Sequence, residues 1–297
     1  MKPETAETEE RIPAISVVIP VKDEALTIAS VVGSVRASLE GYHQPYEIVA
    51  VDDGSTDGSQ EIARQAGARV ISHGTGRGYG AALKSGIRNA RGGTIVIIDG
   101  DGTYPAERIP ELLTGLKAAD MVVGARIRAG ACVPVMRRPA KWFLTKLASF
   151  LSGVKIHDLN SGLRAFRKEA LLPYLRVLPD RFSFTATITL LMIGDGLKVE
   201  YVSIDYRKRA GKSKIVPSDA FSFLMLVIRT IMFFNPFKFF FPLGLVMFVL
   251  GGGKLLTDYI IYDRLSATPV LFILSALQLW GLGFLAELLL FLEKRRK

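Results

Sequence analysis

From Pro236 to about Leu256, and again from Pro269 to Leu292, the chain is almost wholly apolar. Each run has about 20 residues or more, the length that crosses a hydrocarbon core of roughly 30 Å. Lys254 sits near the end of the first run, where its head can snorkel to the interface, and Gln278 and Glu287 interrupt the second. The competing reading, two core helices of a soluble domain, requires both apolar surfaces to be covered. The tail Glu293-Lys-Arg-Arg-Lys297 is cytoplasmic by the positive-inside rule, so the pair forms a transmembrane hairpin that returns to the side of the preceding domain. Upstream, Phe221 to Phe234 is apolar and aromatic with Arg229 inside it, which predicts an amphipathic helix lying on the membrane surface. A chain of 297 residues then divides into a flexible acidic N-terminus (1–13), an α/β domain (14–218), a juxtamembrane helix (219–235) and a hairpin with a basic tail (236–297).

The formal charge of +10 is uneven. Between Met121 and His157 stand Arg126, Arg128, Arg137, Arg138, Lys141, Lys146 and Lys155 with no acid among them, a stretch suited to an anionic ligand or an anionic membrane lipid surface. No helix-turn-helix, zinc-finger or RNP-like pattern presents that charge to bases, so no nucleic-acid partner is expected. Cys132 is the single cysteine, which excludes an intrachain disulfide and a cysteine metal site. Glu4, Glu7, Glu9 and Glu10 make the first residues the opposite of a signal peptide, and the soluble domain is expected in the cytoplasm.

Short β-branched runs alternate with helical patterns through the first half. Ile15 to Ile19, Glu47 to Val51, Arg69 to Ile71, Thr94 to Ile98 and Met121 to Val123 read as buried parallel strands. Ala25 to Leu39, Gly58 to Ala66, Gly80 to Ala90 and Ala106 to Leu116 read as helices between them, and Lys198 to Tyr206 offers a further strand. Such alternation predicts a doubly wound sheet with ligands at the carboxyl ends of its strands. The chemically informative segments begin where the strand runs end: Pro20 to Glu24, Asp52 to Ser55, Gly74 to Gly80 and Asp99 to Tyr104.

Asp99-Gly-Asp101 places like charges close together, which a divalent cation bridged to phosphate would neutralise; an exposed Asp-Gly turn explains the same residues. Asp52-Asp53-Gly-Ser-Thr-Asp57 can cap the following helix or accept hydrogen bonds from a base or ribose. The glycines of Gly74 to Gly80 fit neither a dinucleotide fingerprint, since Tyr79 and Ala81 hold the required positions, nor a P-loop, since Leu83 precedes Lys84-Ser85. They serve close backbone approach or turning. Arg207 to Lys214 packs five cations into eight residues, either for lipid head-group attraction or as a phosphate clamp pivoting on Gly211. His43, His73 and His157 are scattered and receive no role.

In order, Val18-Ile-Pro-Val-Lys-Asp-Glu24, Val51-Asp-Asp-Gly-Ser-Thr-Asp57, Gly78-Tyr-Gly-Ala-Ala82, Asp99-Gly-Asp-Gly-Thr-Tyr-Pro105, Val123-Gly-Ala-Arg126, Ser161-Gly-Leu-Arg164 and Gly211-Lys-Ser-Lys214 resemble the family 2 glycosyltransferases, and among them the polyprenyl-phosphate sugar transferases of the dolichyl-phosphate mannose synthase type. The resemblance implies a GT-A fold over about residues 14–215, a Rossmann-like and mostly parallel α/β sheet. It also implies inverting transfer from a nucleotide-sugar donor, of the GDP-mannose or UDP-glucose type, to a polyprenyl phosphate at the cytoplasmic membrane face. Pro20, Lys22, Glu24, Val51 and Asp53 would line the nucleotide pocket. Asp99 and Asp101, with Gly100 between them, would meet Mg2+ or Mn2+ and the diphosphate. Arg126, Arg138, Arg207, Arg209 and Lys214 would hold phosphate groups, with Arg207 and Arg209 as alternatives for the clamp. Asp158 would orient the acceptor or assist its deprotonation, a turn residue being the plainer reading. Thr103 stands where a metal-facing glutamine is often found. The alternatives are a catalytically silent membrane scaffold of the same fold, or a transferase with another lipid or polysaccharide acceptor, although the Gln-x-x-Arg-Trp signature of processive synthases is absent from the sequence. Assembly as a homo-oligomer is left open.

Overall fold

Aliphatic and β-branched runs have few alternatives to a covered sheet, and they form one here. A computed structural model describes residues 13–127, 146, 149–150, 153–181, 183–207, 236–262 and 266–295. The chain divides into two compact units, 1–146 with 155–217, and 147–154 with 218–297. In the first, strands β1 (Ile15–Val21), β2 (Tyr46–Asp52), β3 (Arg69–Ser72), β4 (Thr94–Ile97), β5 (Met121–Ala125), β6 (Arg164–Arg167) and β7 (Val199–Ser203) build a seven-stranded sheet in the order β3-β2-β1-β4-β6-β5-β7. Pairing is parallel for β1 with β2 and β4, for β2 with β3 and for β5 with β7, whereas β6 runs antiparallel between β4 and β5. The chain order reverses beside β1, the switch point where a parallel sheet opens a crevice.

Helices cover both faces. Helices α1 (Ile28–Glu40), α2 (Ser59–Gln65) and α4 (Ile109–Gly115) bury Ile28, Val32, Ala63 and Leu112 against Val17, Ile19 and Val96. On the other face α3 (Tyr79–Asn89), the short α5 (Lys168–Leu171) and α6 (Phe184–Gly194) bury Leu83, Ile87, Leu171 and Phe184 against Val18, Val49 and Ile97. Helix α1 starts three residues later than the apolar pattern suggests, because Thr27 and Ile28 donate to the Glu24 carbonyl in a turn. The helical pattern of 106–116 divides into a 3-10 turn, Ala106–Arg108, and α4, whose first turn holds Pro110.

Strand β6 was not among the expected strands. Its sequence, Arg-Ala-Phe-Arg, is four residues long and opens with a cation that is wholly buried. The Arg164 guanidinium donates to the carbonyls of Ser161 and Leu159, each at 2.7 Å, and to the Thr189 hydroxyl at 2.5 Å. Burial pushes its pKa below the usual arginine range. The donors of this arginine shape the loop of residues 157–163 that precedes β6.

The second unit is a helical hairpin of α7 (Phe237–Tyr262) and α8 (Ala267–Arg295). With 26 and 29 residues these helices are about 39 and 44 Å long, enough to cross a bilayer. The first extends beyond Leu256. Asp258, almost wholly buried, is held by Lys254 within α7 and by Ser266 just before α8, which ties the turn of the hairpin. Along the seam the Trp280 indole stacks on Phe241 at 5.7 Å and donates to its carbonyl at 3.1 Å. Gly244 makes room, since a Cβ there would sit 2.4 Å from Trp280 Nε1. Val249, Leu256, Ile260, Leu271, Leu285 and Leu289 face outward, which is the pattern of a bilayer solvent and unlike the covered core pair of a soluble domain. The expected surface helix 221–234, together with Arg138, Arg209 and Lys214, lies outside the described residues.

Where α3 meets the loop of residues 179–181, the backbone itself is the packing surface. A Cβ on Gly80 would stand 2.1 Å from the Pro179 carbonyl oxygen, and Ala81 N–H donates to the Asp180 carbonyl at 2.9 Å. Gly80→Ala is therefore expected to destabilise the protein by about 2 kcal/mol, the usual cost of overpacking. Thermal unfolding of the full chain checks this, and an unchanged melting temperature would show that the loop yields.

Candidate functional site

Register fixes where the carboxylates go. Val21 pairs with Asp52 and Ile97 with Val18, so β1, β2 and β4 deliver their following loops to one edge of the sheet. Side-chain oxygens then stitch the first two loops together. Ser55, Asp57 and Ser59 accept the N–H groups of Asp23, Ala25 and Glu24 at 3.0, 2.9 and 2.8 Å, and Asp23 accepts that of Thr56 at 2.9 Å. The Thr27 hydroxyl reaches the third loop, donating to the Gly100 carbonyl at 2.7 Å. Pro20 and Gly100 back onto each other, because a Cβ on Gly100 would approach the Pro20 carbonyl oxygen to 3.1 Å. Ser55 and Thr56 of the sequence motif thus join loops instead of capping α2, whose N-cap is Gly58 with no side-chain cap bond, while its aspartates divide between structure and site.

Three hydrogen bonds hold the Asp53 carboxylate at this edge. Its Oδ1 accepts from Arg77 N–H at 2.8 Å and His73 Nδ1 at 2.9 Å, and its Oδ2 accepts from Gly78 N–H at 2.8 Å. Lys22 Nζ donates to the Asp53 carbonyl at 3.0 Å and also to that of Gly54. Burial works against the charge, but the hydrogen bonds from His73, Arg77 and Gly78 outweigh it and hold the carboxyl below its usual range. Gly78 can point its N–H at Asp53 because it adopts φ +112°, a conformation costly for any residue with a Cβ. That accounts for the glycine run: backbone must pass between Asp53 and the 179–181 loop. His73 is a residue the sequence reading passed over, and its signal was position, directly after the β3 run. Val51 is brought only indirectly to the edge, since its side chain is buried beneath α3.

The third loop carries Asp99 and Asp101. Asp99 Oδ1 accepts from the Tyr79 hydroxyl at 2.8 Å, and its carboxylate lies so close to Gly162 that a Cβ there would meet Oδ2 at 2.2 Å. Burial and the neighbouring Asp99 push the Tyr79 hydroxyl well above its usual pKa, which keeps it a donor. Asp101 Oδ1 accepts from Thr103 N–H at 3.1 Å and the Thr103 hydroxyl at 2.6 Å. Thr103 is fully buried and fixes Asp101. Among the described residues no group of three or more His, Cys, Asp or Glu side chains is placed to hold a metal ion. Two hard carboxylates suit Mg2+ or Mn2+ when phosphate oxygens and water complete the coordination, which is how such ions are usually held beside a diphosphate.

Arg126 and Asp158 form a buried pair at the end of β5. Arg126 Nε and Nη2 reach Asp158 Oδ2 and Oδ1 at 2.7 and 2.9 Å, and Asn160 N–H adds a bond to Oδ1 at 3.1 Å. Burial opposes the arginine charge, and the surroundings of Tyr104 and Asp158 more than restore it, so Arg126 stays a cation. Its guanidinium carbon lies 5.1 Å over the Tyr206 ring, which packs edge-on to Tyr104 at 5.2 Å. The Tyr104 hydroxyl in turn accepts Gly162 N–H at 2.7 Å, next to Asp99. Asp158 therefore orients a cation through a two-point contact. Arg207 N–H donates to the Thr103 carbonyl at 2.9 Å while its side chain pairs with Glu107 at the surface.

An open cavity of about 290 Å3 lies elsewhere, at the amino edge of the sheet, between Arg36, Tyr46, Glu47, Arg69 and Arg91. Glu47 is already matched there by a two-point contact with Arg69 at 3.0 and 2.7 Å and by the Ser16 hydroxyl at 2.7 Å. The carboxyl edge is the stronger site, because its charged groups converge at the switch point of the sheet.

Residues 16–174 match the family described as Glycosyl transferase family 2, and residues 235–290 match the GtrB C-terminal hairpin. The dolichyl-phosphate hexose transferase of Haloferax volcanii is 34% identical over 212 residues, 71% of this chain and 90% of that protein. The dodecaprenyl-phosphate galacturonate synthase of Rhizobium johnstonii is 26% identical, covering 93% of this chain and 87% of its own. Among solved structures, glucosyl-3-phosphoglycerate synthase from Mycobacterium tuberculosis, in complex with Mn2+, UDP and glucosyl-3-phosphoglycerate, superposes with a TM-score of 0.56 at 23% identity. That likeness covers 74% of this chain and 78% of the other, and it shows the fold.

Because the Asp53 carboxyl is held below its ordinary value, its charge stabilises the folded state above about pH 4 and that contribution is lost as the pH falls through the lowered value. Asp53→Asn should melt below wild type at pH 7, with the gap closing toward pH 3. A gap constant over that range would assign the difference to shape instead of charge.

Proposed function

The chain belongs to glycosyl transferase family 2, and from that premise we propose that it transfers a sugar from a nucleotide-sugar donor to a polyprenyl phosphate at the cytoplasmic face of a membrane, with inversion at the anomeric carbon. The observation that carries the reading is one of combination. A carboxylate-lined sheet edge shares its chain with a hairpin long and apolar enough to span a bilayer; a relative named for dodecaprenyl phosphate matches 93% of this chain, and one named for dolichyl phosphate matches 212 residues of it. The basic tail after α8 favours the cytoplasmic side for the catalytic unit.

In this reading Lys22, Glu24 and Asp53 bind the nucleoside, on loops made rigid by the Ser55, Asp57 and Ser59 bonds. Asp101, fixed by Thr103, and Asp99, fixed by Tyr79, would hold a divalent cation against the diphosphate. When bound, that cation neutralises charge on the departing nucleoside diphosphate. Arg126 holds phosphate oxygens, and Asp158 acts through it by fixing the plane of its guanidinium. Arg138, Arg207, Arg209 and Lys214 supply further positive charge for the acceptor. A phosphomonoester already carries between one and two negative charges near neutral pH, its second pKa being about 6. Its oxygen attacks without a strong base, and catalysis is mainly positioning and electrostatics.

Purified full-length protein, given labelled UDP- and GDP-sugars with a polyprenyl phosphate, should place label in the lipid extract with inverted configuration. Asp101→Asn should lower that transfer by about 10²-fold or more while leaving the melting temperature near wild type. Lipid labelling that persists in full under metal chelation would remove the cation from the account. Label absent from the lipid with every donor would favour a catalytically silent scaffold.

A further inference from the structure

His73 is a buried titratable group that the proposed chemistry does not use, and its bonds bear on which nucleotide the chain accepts. The side chain is 4% exposed, with Nδ1 2.9 Å from Asp53 Oδ1 and Nε2 2.8 Å from Ser85 Oγ. A carboxylate only accepts, so Nδ1 carries the proton in that contact. Each carboxylate oxygen has room for about two hydrogen bonds. Oδ1 of Asp53 is filled by His73 and Arg77 N–H, whereas Oδ2 takes only Gly78 N–H among the described residues. One acceptor position remains, on Oδ2. No side chain from position 76 stands over this carboxylate: a Cβ built on Gly76 would lie in ordinary contact, 3.7 Å from Asp53 Oδ2 and 3.6 Å from Lys22 Nζ.

Resting on the reading of Asp53 as a nucleoside contact, we infer that His73 makes this pocket selective for uracil over guanine, so that the donor is a UDP-sugar. Uracil presents one ring N–H flanked by carbonyl oxygens, which matches one open acceptor beside a lysine ammonium. Guanine presents a ring N–H and an adjacent amino group, a pair of donors that asks for both oxygens of a carboxylate. With Oδ1 already filled, the guanine amino group faces an acceptor that has no room for it, and an unpaired donor in a buried site is rejected strongly. His73 touches neither base in this scheme. It is a positioning residue that acts by occupying Oδ1, and Ser85 holds its ring in place.

The test is calorimetric binding of UDP and of GDP, each with Mg2+, to the full-length protein in detergent. Wild type should prefer UDP by about tenfold or more, the ratio that corresponds to 1.4 kcal/mol. His73→Ala frees a second acceptor position and should bring the ratio close to one, chiefly by improving GDP. His73→Asn, whose amide can place an N–H where Nδ1 stands, should keep most of the preference. If the alanine variant does not fold, Ser85→Ala gives the same reading through a loosened ring, with a ratio between those of wild type and one. In turnover, the change should fall on the KM for the donor and leave the KM for the acceptor lipid unaltered. GDP binding as tight as UDP in wild type, or a ratio untouched by His73→Ala and Ser85→Ala alike, would overturn the inference while leaving the nucleotide-sugar reading in place. Binding of neither nucleotide would overturn both.

Discussion

A carboxylate taken out of water must be met by donors, and that requirement shapes the carboxyl edge of this sheet. Asp53, Asp101 and Asp158 are each at most 9% exposed. An unmatched charge at such depth would be protonated or would unfold its surroundings. The chain meets the requirement with different donors at each place: loop N–H groups and an imidazole at Asp53, a threonine at Asp101, an arginine at Asp158. Each solution dictates local backbone. Gly78 takes a left-handed conformation so that its amide faces Asp53, and Thr103 turns inward instead of toward a ligand.

The same logic explains the mixed half of the sheet. Arg164 enters the core at the start of β6 and finds carbonyl oxygens where a solvated cation would find water. Those carbonyls belong to the loop that carries Asp158 and Gly162, so the buried cation shapes the segment that meets Arg126 and Asp99. Tyr104 closes the circuit between Gly162 and Tyr206, and Tyr206 lies under Arg126. A family 2 glycosyltransferase of GT-A fold with two membrane-length helices thus carries a hydrogen-bonded carboxylate edge next to a buried Arg126–Asp158 pair, both built on strand ends. Chemistry that depends on positioning charges gains from such hydrogen-bonded placement, because little reorganisation is left for the reacting state.

Much of this was legible in the residues. Strands β1, β2, β4 and β5 announce themselves by continuous apolar and β-branched runs, and the loops after them hold the aspartates that the family resemblance singles out. The membrane-length helices were equally plain, since a bilayer imposes length and apolarity directly. Strand β6 was hidden, because four residues framed by arginines carry no periodicity, and its pairing with β4 joins segments about 70 residues apart. His73 and Tyr79 were hidden for a related reason. Each acquires its part only when a distant carboxylate arrives beside it, and no local pattern encodes that meeting. The two oxygens of Asp158 close around the Arg126 guanidinium, a pairing between residues 32 apart that no local pattern announces.

In the proposed function the donor seats on the carboxyl edge, over the loops that follow β1, β2, β3 and β4. Hydrogen–deuterium exchange of the full-length protein, with and without nucleoside diphosphate and Mg2+, tests it most directly. Slowed exchange is expected at Gly54 to Thr56, at Arg77 and Gly78, and from Gly100 to Thr103. Protection confined to the arginine-lined cavity at the amino edge, around Arg36 and Arg69, with Arg77 and Gly78 unchanged, would contradict the account.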